Sequence, residues 1–99
     1  MNIQALMKQA QNLQKEMLKS KNEIDKMEFQ SKKDLVTVKV NGKKEVLKIT
    51  INKDEDFSID DIEILEEMIQ VAINDALKQV DQETERKMGK YANAMPGMF

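Results

Sequence analysis

The stretch IQALMKQAQNLQKEMLKSKNEIDKM, residues 3–27, decides the fold. Ile3, Leu6, Ala10, Leu13, Met17, Ser20, Ile24 and Met27 follow one another at steps of three and four, and Ser20 alone interrupts the apolar series. A seam of that spacing, held over more than three heptads with neither Gly nor Pro inside it, predicts one long amphipathic helix. At 1.5 Å per residue it is about 37 Å long, more than a small chain needs to cover its own core. Such a helix projects, or it packs against a partner.

The outward face of the same helix carries lysines. With Ile3 at heptad position a, Lys8 and Lys15 fall at f, Lys19 and Lys26 at c and Lys21 at e, all off the seam. A stripe of this kind is either a solvated helix face or a surface for something anionic, and both readings stand at this point.

Beyond the helix, Met27-Glu28-Phe29-Gln30 alternates apolar and polar, a short strand leading into the turn-like Ser31-Lys32-Lys33-Asp34. Leu35-Val36-Thr37-Val38-Lys39-Val40 is β-branched and alternating, a stronger strand signal. Asn41-Gly42 follows, the pair favoured by a type I′ turn, and predicts a hairpin. On the return strand, Lys43 to Ile51, Leu47, Ile49 and Ile51 share one face and Val46 takes the other. A strict two-residue loop would set Val40 against Lys43, whereas a bulge near Lys44 or Glu45 would bring Val46 into register; the sequence leaves this open.

The acidic loop KDEDFSID, residues 53–60, contains Phe57, expected to plug the edge of the core. Asp60 or Ser58 can cap a second long helix, and Asp60, Asp61 and Glu63 suit its positive N-terminal end. Five of the six residues from Met68 to Ile73 are apolar, so the stripe wraps most of the way round. One helix lying on a three-stranded sheet has no use for apolar residues on its far side. A homodimer interface at Met68, Ile69, Ala72 and Ile73 is therefore expected, against the alternative that the chain's own first helix covers them. Gly89 marks the expected helix end. Residues 90–99 are read as a loose tail, or as docking through Met98 and Phe99.

The layout is α-β-β-β-α: an α+β protomer with a three-stranded antiparallel sheet and two long helices, one domain over residues 1–99. Charged residues make up 34% of the chain and aromatics 4%, a thinly filled composition for which oligomerisation completes a core. No apolar run spans a membrane and no signal peptide is apparent, so a cytoplasmic protein is expected. The net charge of −2 hides a division. Residues 1–53 hold twelve Lys against six acids, and residues 54–99 hold four Lys or Arg against twelve acids. A molecule so polarised can meet a polyanion with its basic part.

Much chemistry is missing. Cys and His are both absent, which removes disulfides, thiolate metal sites and the usual general base. The three glycines form no phosphate-cradling loop. Glu66-Glu67 and Asp60-Asp61 could be read as acid/base pairs, but an acidic helix start is ordinarily helix-dipole and solubility chemistry. Neither an enzyme nor a cofactor is expected.

The opening MNIQALMKQAQNLQKEM, the hairpin VKVNGKKEVLKITI, the segment DDIEILEEMIQVAINDALKQVDQETERKMG and the ending MPGMF together resemble the YbaB/EbfC family of small bacterial nucleoid-associated proteins. The most distinctive pieces are MKQAQ with the following Leu-Gln, the NGK turn, and Ile69, Ala72, Asn74, Asp75 and Ala76 in the second helix. None is a catalytic signature. The resemblance implies a tweezer-like homodimer that binds double-stranded DNA in the nucleoid and alters its conformation. The basic positions it implicates are Lys8, Lys15 and Lys19, with Arg86 and Lys87 as weaker candidates, and Lys26, on the same outward side of the helix, joins them as a DNA-binding candidate. Where family members often carry a glycine-rich stretch, this chain has Ser31-Lys32-Lys33-Asp34.

Lysine is a point charge without the flat fork that grips guanine, and Arg86 is the only arginine, so phosphate contact with little base readout is expected. A prefoldin-like holdase or scaffold is the rival from another class, with Met7, Leu18, Met88 and Met95 as an adaptable apolar grip. An adaptor for recombination or repair proteins is a third reading.

Overall fold

The computed structural model describes residues 2–52 and 57–94, with the backbone alone for 92–94. Six elements follow in order: α1 (Ile3–Asp25), β1 (Glu28–Lys33), β2 (Val36–Asn41), β3 (Val46–Ile51), a single 3-10 turn (Ile59–Asp61) and α2 (Ile62–Ala94). The strands form one antiparallel sheet in sequence order. This is the α-β-β-β-α layout of an α+β chain.

The Asn2 side chain caps α1 by accepting from the backbone N–H groups of Gln4 and Ala5. Ser58 caps the later helical segment, where the Asp61 carboxylate accepts from the Ser58 backbone N–H at 2.9 Å and from its hydroxyl.

Ser31, Lys32 and Lys33, expected in a turn, belong to β1. Lys33 pairs with Val36, so the connection shrinks to Asp34 and Leu35, and Asp34 takes a φ of 54°, a region that Asp tolerates better than most residues. The Asn41-Gly42 hairpin exists, but its turn is not type I′. Lys44 carries the positive φ, 65°, and the loop is Gly42-Lys43-Lys44, closed by bonds from Asn41 N–H to Glu45 O and from Lys44 N–H to Asn41 O. The Asn41 side-chain oxygen also accepts from the N–H groups of Lys43 and Glu45.

That three-residue loop sets Val46 against Val40. Leu47 is then an extra residue, and past it Lys48, Ile49 and Ile51 face Lys39, Val38 and Val36. The bulge is needed because without it Lys48 would fall beside Val38 on the apolar face. Val46 therefore shares a face with Ile49 and Ile51.

Glycine at position 42 is required by a close approach. A Cβ there would lie 1.7 Å from the backbone oxygen of Ile24, while the Gly42 N–H donates to Met27 O at 3.0 Å. The hairpin turn is thus set hard against the end of α1.

The main core joins Val36, Val38 and Val40 of β2 to Ala72, Ala76 and Val80 of α2, with Phe29 and Leu65 at its margin. Phe57 stays 36% exposed beside Leu35, Leu65 and Met68, so it borders the core rather than plugging it. A second cluster holds Met17 and Ile24 of α1 against Met88 and Tyr91 of α2. Gly89 does not end α2, because the helix has α1 to pack against there and continues to Ala94. Residues 90–94 are accordingly helical, not tail, and Met98 and Phe99 lie outside the described residues.

The packed row Ala72, Ala76, Val80, Thr84 and Met88 advances along α2 in steps of four, facing the sheet first and α1 afterwards. Sheet and α1 therefore lie end to end along one side of α2. The result is a rod of 72 × 19 × 14 Å with a radius of gyration of 19.7 Å, against about 13 Å for a compact chain of this length. Among the described residues no helix is long and apolar enough to cross a membrane.

Candidate nucleic-acid interface

The seam of α1 is used in part. Met17 and Ile24 are buried and Leu13 half-buried, whereas Ile3, Leu6 and Ala10 are exposed. The N-terminal half of the helix thus extends beyond the cover that the described part of the chain supplies.

Lys8, Lys15, Lys19 and Lys26 are exposed on the opposite side of α1. Their spacing of seven, four and seven residues keeps them on one face. From Lys8 to Lys26 they span about 27 Å of helix. Lys15, Lys19 and Lys26 border one shallow concavity with Leu18, Asn22 and Glu23. None of the four forms an ion pair among the described residues. Lys21, the fifth cation of the helix, sits 3.7 Å from Asp25. The four others are exposed and outside ion pairs, although Lys19 stands near enough to Glu23 to help lower its carboxyl, and exposed ammonium groups of small desolvation cost are what phosphate contact uses.

Arg86 and Lys87 are placed differently. The Arg86 guanidinium forks onto Glu83, whose carboxyl it holds below the usual glutamate range. Lys87 donates to Glu23 at 2.8 Å, and this bond, reinforced by the ammonium charge, lowers the Glu23 carboxyl likewise. Lys87 therefore ties α2 to α1. Spacing alone could not show this, because the partner of Lys87 stands sixty-four positions away in sequence.

The residues expected at a dimer interface also divide. Ala72 is wholly covered by the chain's own sheet, and Met68, Ile69 and Ile73 pack at the margin of the same core. Thus the sheet, not the first helix, accounts for their apolar character, and Ala72 has no surface left for a partner. Val71, about half exposed, is the apolar residue of that run left outside.

An apolar surface does remain open elsewhere. α2 crosses β1 and β2 and scarcely reaches β3. Asp75 and Gln79 mark its β1 flank by bonding to Ser31 and to the Gln30 carbonyl, and Asp81 marks the other by pairing with Lys44 of the hairpin. Ile73 and Leu77 precede Asp81 at four-residue steps on that second flank. Beside them Val46, Ile49 and Ile51, on the inner face of edge strand β3, are each more than two-fifths exposed. Only the register of the bulged hairpin reveals this strip.

Met88, assigned to an apolar grip in the holdase reading, is buried against Met17, Ile24 and Tyr91, while Met7 and Leu18 are exposed; Met95 lies outside the described residues.

Comparison with known proteins gives a consistent result. The model of the YbaB/EbfC DNA-binding family matches residues 1–95. A nucleoid-associated protein of Ligilactobacillus salivarius is 38% identical, over 99% of this chain and 95% of its own. One from Lactococcus lactis subsp. cremoris is 43% identical, over 97% and 98% respectively. A third, from Clostridium novyi, is 47% identical over the whole of this chain and 90% of its own.

Proposed function

The chain belongs to the YbaB/EbfC DNA-binding family, and from that membership we propose that it is a non-enzymatic nucleoid-associated protein which binds duplex DNA as a homodimer through lysine–phosphate contacts. It acts in the cytoplasm on the nucleoid, with low sequence specificity, altering DNA conformation and thereby contributing to nucleoid organisation and gene regulation. The observation that carries this reading is the row of Lys8, Lys15, Lys19 and Lys26, exposed and without carboxylate partners among the described residues.

The dimer forms through the β3 flank. The strip of Val46, Ile49, Ile51, Ile73 and Leu77 is apolar and self-complementary in kind, and β3 is an open edge with unused backbone groups. This contact leaves the lysine face of α1 free.

Counterion release supplies the test. If three lysines on each protomer meet phosphates, log K against log[salt] for a dimer on a duplex falls with a slope of about −5. A Lys8→Ala/Lys15→Ala/Lys19→Ala variant should retain its fold by circular dichroism and lose most of the slope. A wild-type slope near zero, or a variant that binds unchanged, removes the proposal.

A further inference from the structure

The face of the sheet turned away from α2 carries lysines for which neither the core nor α1 accounts. Strand alternation and pairing place Gln30, Lys32, Thr37, Lys39, Lys48 and Thr50 on that outer face. Lys32, Thr37 and Thr50 form one row across the three strands, and Gln30, Lys39 and Lys48 form the next. Lys39 and Lys48 stand directly opposite each other, an arrangement that costs stability in an isolated sheet. Lys32 and Lys48 make no ion pair among the described residues, and Lys39 has only the exposed Glu28, at 3.7 Å.

Protection of a sheet edge explains lysines on outer strands. It does not explain Lys39, which is on the central one. A polyanion on this face turns the repulsion of the pair into attraction, and the hydroxyls of Thr37 and Thr50 add phosphate donors.

The location supports the same partner as α1. Because α1 and the sheet lie end to end on one side of α2, the lysine stripe and the outer sheet face both point away from that helix. The exposed back of α2 carries Glu63, Glu67 and Glu85 instead, with Lys78 among them. The lysine-rich side of the molecule is thus the one that α1 and the outer sheet face share.

We infer that the outer sheet face is a second phosphate-contact surface, continuous with the lysines of α1, so that a single duplex runs along the long axis of each protomer. This rests on the duplex-binding reading above. A length of 72 Å at 3.4 Å per base pair corresponds to about 21 base pairs.

The test is a Lys32→Thr/Lys48→Thr variant of the full chain, since Thr keeps strand propensity and relieves the lysine pair. Its binding to a 40-base-pair duplex is titrated against salt beside the wild type, with hydroxyl-radical footprints of both. The slope should weaken by about 2 for each protomer bound. The protected length per protomer should shorten, and the melting temperature should stay level or rise. If the variant is poorly folded, Lys32→Gln/Lys48→Gln takes its place.

Unchanged slope and footprint in a well-folded variant overturn the inference. With the α1 triple variant in parallel, loss of binding there alone leaves the duplex reading standing and this one refuted. If neither variant weakens binding, both fall.

Discussion

At the residue scale two glycines make opposite predictions. Any side chain at Gly42 enters the Ile24 carbonyl, and the contact is backbone on backbone, so neither side can yield cheaply. Gly42→Ala should cost about 3 kcal/mol, at the upper end for over-packing. Gly89 lies within α2, and a Cβ there meets nothing within 4 Å. Gly89→Ala should therefore stabilise by about 0.5–1 kcal/mol. Urea midpoints moving in opposite directions would verify the pair. Ser31, the buried polar side chain among the described residues, donates to Asp75 at 2.7 Å, and Gln79 adds a bond at 3.3 Å. The Ser31 bond, then that of Gln79, and then the charge of Lys33 hold the Asp75 carboxyl below the ordinary aspartate value. A lowered carboxyl favours the folded state above the unfolded pKa of about 3.9, and the benefit is lost as pH falls through the folded value. Ser31→Ala should thus be less stable than wild type at pH 7, with the gap narrowing at pH 3. An equal gap at both pH values would assign the loss to packing alone.

At the scale of elements, the sequence made the long helices, the strand pair and the capped start of the second helical segment legible, because each rests on local periodicity or cap chemistry. It misplaced the ends wherever another element intervened. The Asn-Gly signal located the hairpin but not its turn, since what constrains Gly42 is the arriving end of α1. The same holds for Gly89, where packing of Met88 and Tyr91 on α1 carries the helix through a residue that ordinarily ends one. Among the cations, heptad position separated the open lysines of α1 from its seam, but Arg86 and Lys87 could be sorted only by their partners. Arg86→Ala should leave DNA affinity and salt slope near wild type. Lys87→Ala should lower stability at neutral pH through loss of the Glu23 tie, with the deficit shrinking below about pH 4, where that carboxylate protonates in the unfolded chain. Loss of DNA binding in a folded Arg86→Ala protein would return the end of α2 to the interface.

At the scale of the molecule, the apolar stripe read from the sequence is divided by the fold: Ala72 is buried under the sheet, while Ile73 lies on the flank beside the exposed Val46, Ile49 and Ile51. A helix sequence shows how far its stripe wraps and not which part a sheet will cover; here α2 covers two strands and leaves the third. Ile49→Lys places a charge in the uncovered strip without touching the Val36–Val38–Val40 core. Sedimentation equilibrium should then report a monomer, and the salt slope on DNA should fall to about half as the phosphate contacts per bound particle halve. A dimer undisturbed by this change would move the interface elsewhere. One feature governs what such a pair could do. Only Lys26 and Met27 separate α1 from β1, and the Gly42 turn sits against that junction. Each arm is a cantilever built into its wall, without a hinge at the root. In the dimer proposed above, two such arms would hold a fixed gauge, and the compliance needed for a fit would come from the double helix.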